Sequence, residues 1–98
     1  MKDITEIIKE LSHKDSSKRI NAAEILGMMT DEKAVDALIP VLEDKNRFVR
    51  EAVALALGKI GNVKAIKHLT QALENERDEF VKEFLKKAIE KIQSKNAA

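Results

Sequence analysis

Cysteine, tryptophan and tyrosine are missing altogether, and the 98 residues hold one proline, three glycines and three phenylalanines. Without cysteine there is no disulfide framework and no thiolate to serve as nucleophile or metal ligand, which fits a reducing compartment. An excess of either charge is missing too: 18 Lys and Arg stand against 17 Asp and Glu, a net +1, so bulk electrostatics do not advertise a nucleic-acid binder. No apolar run approaches the ~18 to 20 residues of a membrane span. The opening MKDITEIIKE also lacks the hydrophobic stretch of a secretory signal, so a cytoplasmic protein without membrane contact is expected. What remains is 44% hydrophobic and 36% charged, rich in Ala, Leu, Ile, Lys and Glu. That composition favours helix over sheet, and the length suits one domain over residues 1–98.

The chain repeats itself. Residues 13–43 and 44–74 superpose without a gap. This aligns Lys14 with Lys45, Arg19 with Arg50, Ala23 with Ala54, Leu26-Gly27 with Leu57-Gly58, Lys33-Ala34 with Lys64-Ala65, Leu38 with Leu69 and Leu42-Glu43 with Leu73-Glu74. The same spacing sets Ile4, Ile7 and Leu11 under Val35, Leu38 and Leu42. With one inserted residue near Asn75, it sets Phe80-Val81-Lys82 under Phe48-Val49-Arg50. The expected organisation is a half repeat (1–12), two whole repeats (13–43 and 44–74) and a half repeat acting as C-terminal cap (75–98). Repeats of this length stack, each burying its apolar face against its neighbours.

Each whole unit carries two helices. In the second unit Val49, Ala52, Val53, Ala56, Leu57 and Ile60 follow the i, i+3, i+4, i+7 spacing of one helical face. Gly58 and Gly61 read as helix terminators, because glycine accepts positive φ at no steric cost. Asp31, Asn62 and Asn75 read as caps, so the helices form tight hairpins. Six helices are predicted, near 3–12, 16–27, 32–43, 47–59, 63–74 and 78–93. The third should kink, since Pro40 removes a backbone hydrogen bond to residue 36. ITEIIKEL and FVKEFLKKAIEKI each separate an apolar side from a charged side, whereas FVREAVALAL is apolar nearly all round. Wrapped inner helices and two-faced outer ones describe a complete, capped, all-α solenoid of about six helices. It is expected to be monomeric, any association running end to end through Met28, Met29, Phe48 or Phe80.

FVREAVALALGKIG followed by AIKHLTQAL resembles the HEAT-like repeats of the phycobilisome-lyase type, whose units look like V-R-x-x-A-A-x-A-L-G-x-I-G and then A-x-x-x-L-x-x-x-L. The likeness covers nearly the whole chain. It departs at Lys18, where the family has valine, at Met28-Met29-Thr30, which stands for Lys-Ile-Gly, and at Glu90, which replaces the glycine. The resemblance implies a right-handed α-α superhelix whose second helices line a concave, protein-binding face. It does not imply lyase chemistry, because many unrelated scaffolds share the repeat.

Groups that carry chemistry do not converge in the sequence. His13 and His68 lie two hairpins apart, with no carboxylate-histidine cluster at ligand spacing. GKIG lacks both the spacing and the preceding strand of a phosphate loop. Asp31-Glu32 and Glu43-Asp44 recur at helix ends, where such residues cap or favour the positive end of the helix dipole. Arg19, Arg50 and Lys82 recur as a ladder tying adjacent units to nearby acids. The expectation is therefore no enzyme, with no catalytic, metal or cofactor residues.

The candidate site is the outward face of the second helices. Its registers are Lys2, Lys33 and Lys64; Thr5, Asp36 and Lys67; Glu6, Ala37 and His68; and Lys9, Pro40 and Gln71. Packed helices lie ~8 to 10 Å apart, so the rows would form one mixed, modestly basic patch suited to another protein or an acidic peptide. Nucleic acid is set aside because no aromatic platform interleaves the lysines. The alternatives are an accessory or chaperone-like subunit of a bilin or cofactor-attachment enzyme, and a weak nucleic-acid binder.

Overall fold

The computed structural model describes residues 2–97; Met1 and Ala98, the ends of the expected domain, lie outside them. The elements run α1 (Ile4–Glu10), α2 (Ser16–Met29), a 3₁₀ turn (Glu32–Ala34), α3 (Val35–Leu38), a second 3₁₀ turn (Ile39–Glu43), α4 (Arg47–Ile60), α5 (Lys64–Asn75) and α6 (Glu79–Lys95). Among the described residues there is no strand, and no helix is long and apolar enough to cross a membrane.

Short polar side chains set the helix starts. Asp3, Asp15, Asn46 and Asp78 sit in extended backbone and accept from amides of the first turn of α1, α2, α4 and α6, donors that a helix leaves without internal partners. Asp31 and Asn62 cap as expected, their Oδ1 atoms accepting from the Lys33 and Lys64 amides at 2.9 Å. Asn75 does not: it is the last residue of α5, and its Nδ2 donates back to the Gln71 carbonyl at 3.1 Å.

The kink expected at Pro40 is a break. The stretch 32–43 runs as 3₁₀, four residues of α-helix, and 3₁₀ again, with Pro40 in the first turn of the last piece. Proline offers no N–H to the carbonyl four residues back and crowds the preceding turn. The tighter 3₁₀ winding is a short-range way to continue.

Gly61 ends α4 in the left-handed region at φ 75°, its N–H donating to the Leu57 carbonyl at 3.0 Å. Thr30 holds the matching place after α2 at φ 50°. Gly58, read from sequence as a terminator, lies inside α4. A Cβ there would stand 3.1 Å from the Cα of Ala88 on α6, and one on Gly27 would stand 2.9 Å from the Cα of Ala56 on α4. Both glycines serve close approach between neighbouring helices, so α2, α4 and α6 lie side by side as one layer.

On that layer pack α1, the broken 32–43 stretch and α5, giving a slab with Cα extents of 36 × 31 × 16 Å. The core runs between the layers. Helix α4 buries Val49, Ala52, Val53, Ala54, Ala56, Leu57, Gly58 and Ile60, while α1 buries only Ile7 and α5 only Ala65 and Leu69. The wrapped central helix and the two-faced first helix are thus as the sequence pattern predicts.

Candidate functional site

The arginine ladder ties α2 and α4 to the loops that lead into α4 and α6. Arg19 is buried and grips Asp44 with two hydrogen bonds, Nε to Oδ2 at 2.8 Å and Nη2 to Oδ1 at 3.1 Å; its Nη1 donates to the carbonyls of His13 and Lys14. Arg50 repeats the pattern, gripping Glu76 at 2.9 and 3.0 Å and donating to the Asp44 carbonyl at 2.8 Å. Such forked pairing adds geometric specificity as well as strength. Burial pushes the Asp44 carboxyl up, but the Arg19 hydrogen bond, the Asn46 amide and the positive charges of Arg19 and Lys45 outweigh it, leaving the carboxyl below its ordinary value. Lys82 does not extend the ladder. It pairs with Glu79, one turn away on its own helix, at 3.1 Å.

Of the predicted face, Lys2, Thr5, Glu6, Lys9, Lys33, Asp36, Pro40, Lys64, Lys67 and Gln71 are exposed, and Ala37 and His68 are half-buried. Lys64 pairs with Asp36 at 2.8 Å and Asn62 donates to Glu32 at 2.7 Å, joining the start of α5 to the start of the 32–43 stretch. Two stripes therefore run side by side, Lys33, Asp36 and Pro40 along the broken 32–43 stretch and Lys64, Lys67 and Gln71 along α5. The α1 row stands apart from them: Lys2, which precedes α1, pairs with Glu10 at the helix's end, and no hydrogen bond joins α1 to residues 32–43 among the described residues.

The twin stripes end in a cleft of about 790 Å³ between the 39–45 segment and the C-terminal half of α5, with Pro40, His68 and Gln71 on its wall. It is also lined by residues that the sequence reading did not place on the candidate face, Glu43, Lys45, Glu74 and Arg77. Glu43 ends the 39–43 turn, Glu74 lies in the last turn of α5, and Lys45 and Arg77 lie in the loops that follow; their signal in the sequence is the recurrence of Glu43 at Glu74 and of Lys14 at Lys45. Also unanticipated is where the exposed apolar side chains lie. Met28 and Leu55 line a second groove, of about 230 Å³, on the outer face of α2 and α4. Helical spacing places Phe48 and Leu55 on one stripe of α4. These residues face outward from the broad side of the slab, not from the ends of the stack. Among the described residues no group of three or more His, Cys, Asp or Glu gathers as metal ligands would.

Comparison with known proteins places this architecture. The family model described as HEAT repeats matches residues 4–90. The bilin biosynthesis protein MpeU of Synechococcus sp. (strain WH8020) is 40% identical over 77 residues, which cover 78% of this chain and 26% of that protein. An uncharacterized protein of Geobacillus stearothermophilus, from the gldA 3' region, is 36% identical over 75 residues, covering 76% of this chain and 35% of its own. The chain thus spans about a quarter to a third of the length of these curated relatives. Among solved structures, an epoxyqueuosine reductase holding a modified tRNA-Tyr stem loop superposes with a TM-score of 0.76 at 26% identity, over 92% of this chain and 28% of that one. The chain belongs to the HEAT-repeat family, as the resemblance in FVREAVALALGKIG implies.

Proposed function

We propose that this HEAT-repeat chain is a non-enzymatic scaffold that binds an acidic segment of another protein through the face of its second helices. The supporting observation is the pair of parallel stripes, clamped by Lys64 and Asp36, that leads into the cleft opened beside Pro40. Lys33 and Lys67 form no ion pair among the described residues. They offer ammonium groups to carboxylates while the cleft takes the adjoining chain. Charges at such a rim act mainly on association rate and salt dependence. The test is affinity capture, identification of the partner, and surface plasmon resonance on two charge-reversed variants. Lys33→Glu/Lys64→Glu/Lys67→Glu should weaken binding, and Lys18→Glu/Lys59→Glu, on the first-helix side, should leave it nearly unchanged. Equal loss from both sets, or loss from the second alone, sinks this reading.

RNA is the second reading, and the tRNA-bearing neighbour favours it, so nucleic acid is no longer set aside. A mobility shift with a tRNA stem loop that weakens steeply with salt would support it over the protein reading. The relative named for bilin biosynthesis keeps an accessory role in bilin attachment as a further alternative, which bilin transfer dependent on added chain would reveal.

A further inference from the structure

Arg19 and Arg50 hold equivalent places in successive units, yet the protein does not satisfy them equally. A guanidinium carries five N–H groups. Arg19 makes four hydrogen bonds, two to the Asp44 carboxylate and one each to the carbonyls of His13 and Lys14. Arg50 makes three, two to the Glu76 carboxylate and one to the Asp44 carbonyl; the Lys45 carbonyl, which corresponds to that of Lys14, accepts nothing from it. The Arg50 side chain is also the more exposed, at 19% against 9% for Arg19. That exposure opens into the cleft beside Pro40, which Arg50 lines, whereas Arg19 lines neither the cleft nor the α2–α4 groove. Arg50 therefore keeps a donor that Arg19 spends on the protein, on a side chain that lines the cleft.

Two cations join it. Lys45 lines the cleft from the 39–45 segment and Arg77 from the loop after α5, and both are exposed. Neither forms an ion pair among the described residues. Glu43 and Glu74, exposed and equally without an ion pair, alternate with them. The charge of Arg50 is met by Glu76, so the cleft offers two free cations, one directional N–H and two free acids. A run of acidic side chains would meet Glu43 and Glu74. A single carboxylate would not, if the groups next to it are main-chain amides that donate to those two acids. The last residue of a chain has that make-up. The direction of entry agrees: lysines mark the approach along α5, while beyond Arg77 come Asp78 and Glu79, which offer an acidic chain nothing. From Lys67 to the end of α5 at Asn75 is about 12 Å at ~1.5 Å per residue. An extended chain crosses that in about three or four residues.

We infer, resting on the acidic-segment reading above, that the cleft receives the C-terminal carboxylate of the partner's chain. Lys45, Arg77 and the spare Arg50 donor hold that carboxylate, and an acidic side chain about three or four residues upstream lies on Lys33 and Lys67. The probe is a synthetic acetylated peptide, Asp-Asp-Gly-Ser-Gly-Leu, with a free C-terminal carboxylate; the same peptide with a C-terminal amide is the control. Heteronuclear NMR titration of the full chain follows the backbone amides of residues 43–46 and 74–78 and the Arg50 Nε. The free acid should shift these signals and bind about tenfold more tightly than the amide. Lys45→Gln/Arg77→Gln, both at exposed positions, should abolish that preference with unchanged circular dichroism. Lys33→Glu/Lys67→Glu should weaken both peptides alike. Equal affinity of acid and amide overturns the inference. So does a preference for the acid that survives Lys45→Gln/Arg77→Gln, or the absence of any shift in the cleft at about 10 mM peptide, well above a Kd of about 1 mM. The two readings fail separately. Equal affinity of the two peptides, with loss in Lys33→Glu/Lys67→Glu, removes the carboxylate site and leaves the lysine stripes. A preference for the acid without loss in that variant does the reverse.

Discussion

Gly27 lies so close to Ala56 that a Cβ on the glycine would stand 2.9 Å from the Ala56 Cα and 3.1 Å from its Cβ. The obstacle is backbone, which cannot swing aside as the tip of a lysine can. Alanine is the better helix former by about 1 kcal/mol, yet Gly27→Ala should lose stability, because overpacking costs about 1 to 3 kcal/mol. Gly58→Ala meets Ala88 at 3.1 and 3.3 Å, a looser fit, and should cost less. Thermal melts of the two variants check the order. A Gly27→Ala protein as stable as the parent would show that α2 and α4 separate freely.

Thr30 gives the opposite sign. It closes α2 at φ 50°, a left-handed conformation that costs an L-residue about 1 to 2 kcal/mol, and the hydrogen bond from its Oγ1 to the Met29 carbonyl is exposed to water. Glycine removes the steric cost but adds freedom to the unfolded chain, worth about 0.4 to 1 kcal/mol. Thr30→Gly should therefore stabilise by about 0.5 to 1 kcal/mol, read as a higher urea midpoint. A lower midpoint would mean that the Thr30 turn is held by more than its backbone angle.

Features fixed by local periodicity were legible in the sequence. The six helices, the caps at Asp31 and Asn62, the wrapped α4 and the acid-seeking Arg19 and Arg50 all follow from spacing within a unit or between units. Gly58 was not, because a glycine near a helix end has two uses, stopping the helix and admitting a neighbour, and only Ala88 on another helix distinguishes them. Lys82 matches Arg50 in position, but the acid it meets is one turn away on its own helix. Phe48 and Phe80 read as stack-end residues and lie on the broad face instead. The cleft depends on how far α5 stands from the 39–45 segment, a distance that no pattern of residues encodes.

Asp44 makes acid stability a test of the ladder. Its carboxyl is held below the ordinary value in the folded chain. The stability it supplies is therefore complete above its unfolded value of about 3.9 and is lost as pH falls through the lower folded value. Asp44→Asn leaves the Arg19 guanidinium buried without its counter-charge and should cost about 1 to 3 kcal/mol near neutrality. The gap in melting temperature between parent and variant should be flat from neutral pH to about pH 5 and should shrink below about pH 4. A gap that is constant into strong acid would mean that the pair contributes by shape and not by charge.

Pro40 links the broken stretch to the cleft. It is exposed, and its ring contributes to the cleft wall, so replacing it removes little buried surface. Pro40→Ala restores the N–H that an α-helical turn needs and should let residues 35–43 wind more nearly as one helix, raising the helical signal in circular dichroism. Stability should change by less than about 1 kcal/mol, because the gained hydrogen bond is offset by the greater freedom of the unfolded chain. Straightening this stretch alters the wall carrying Pro40 opposite His68 and Gln71. If a partner's chain lies in that cleft, its affinity should fall in Pro40→Ala while the charge dependence set by Lys33 and Lys67 persists. A variant that gains helix and binds the partner as tightly as the parent would confine recognition to the lysine stripes and exclude the cleft from it.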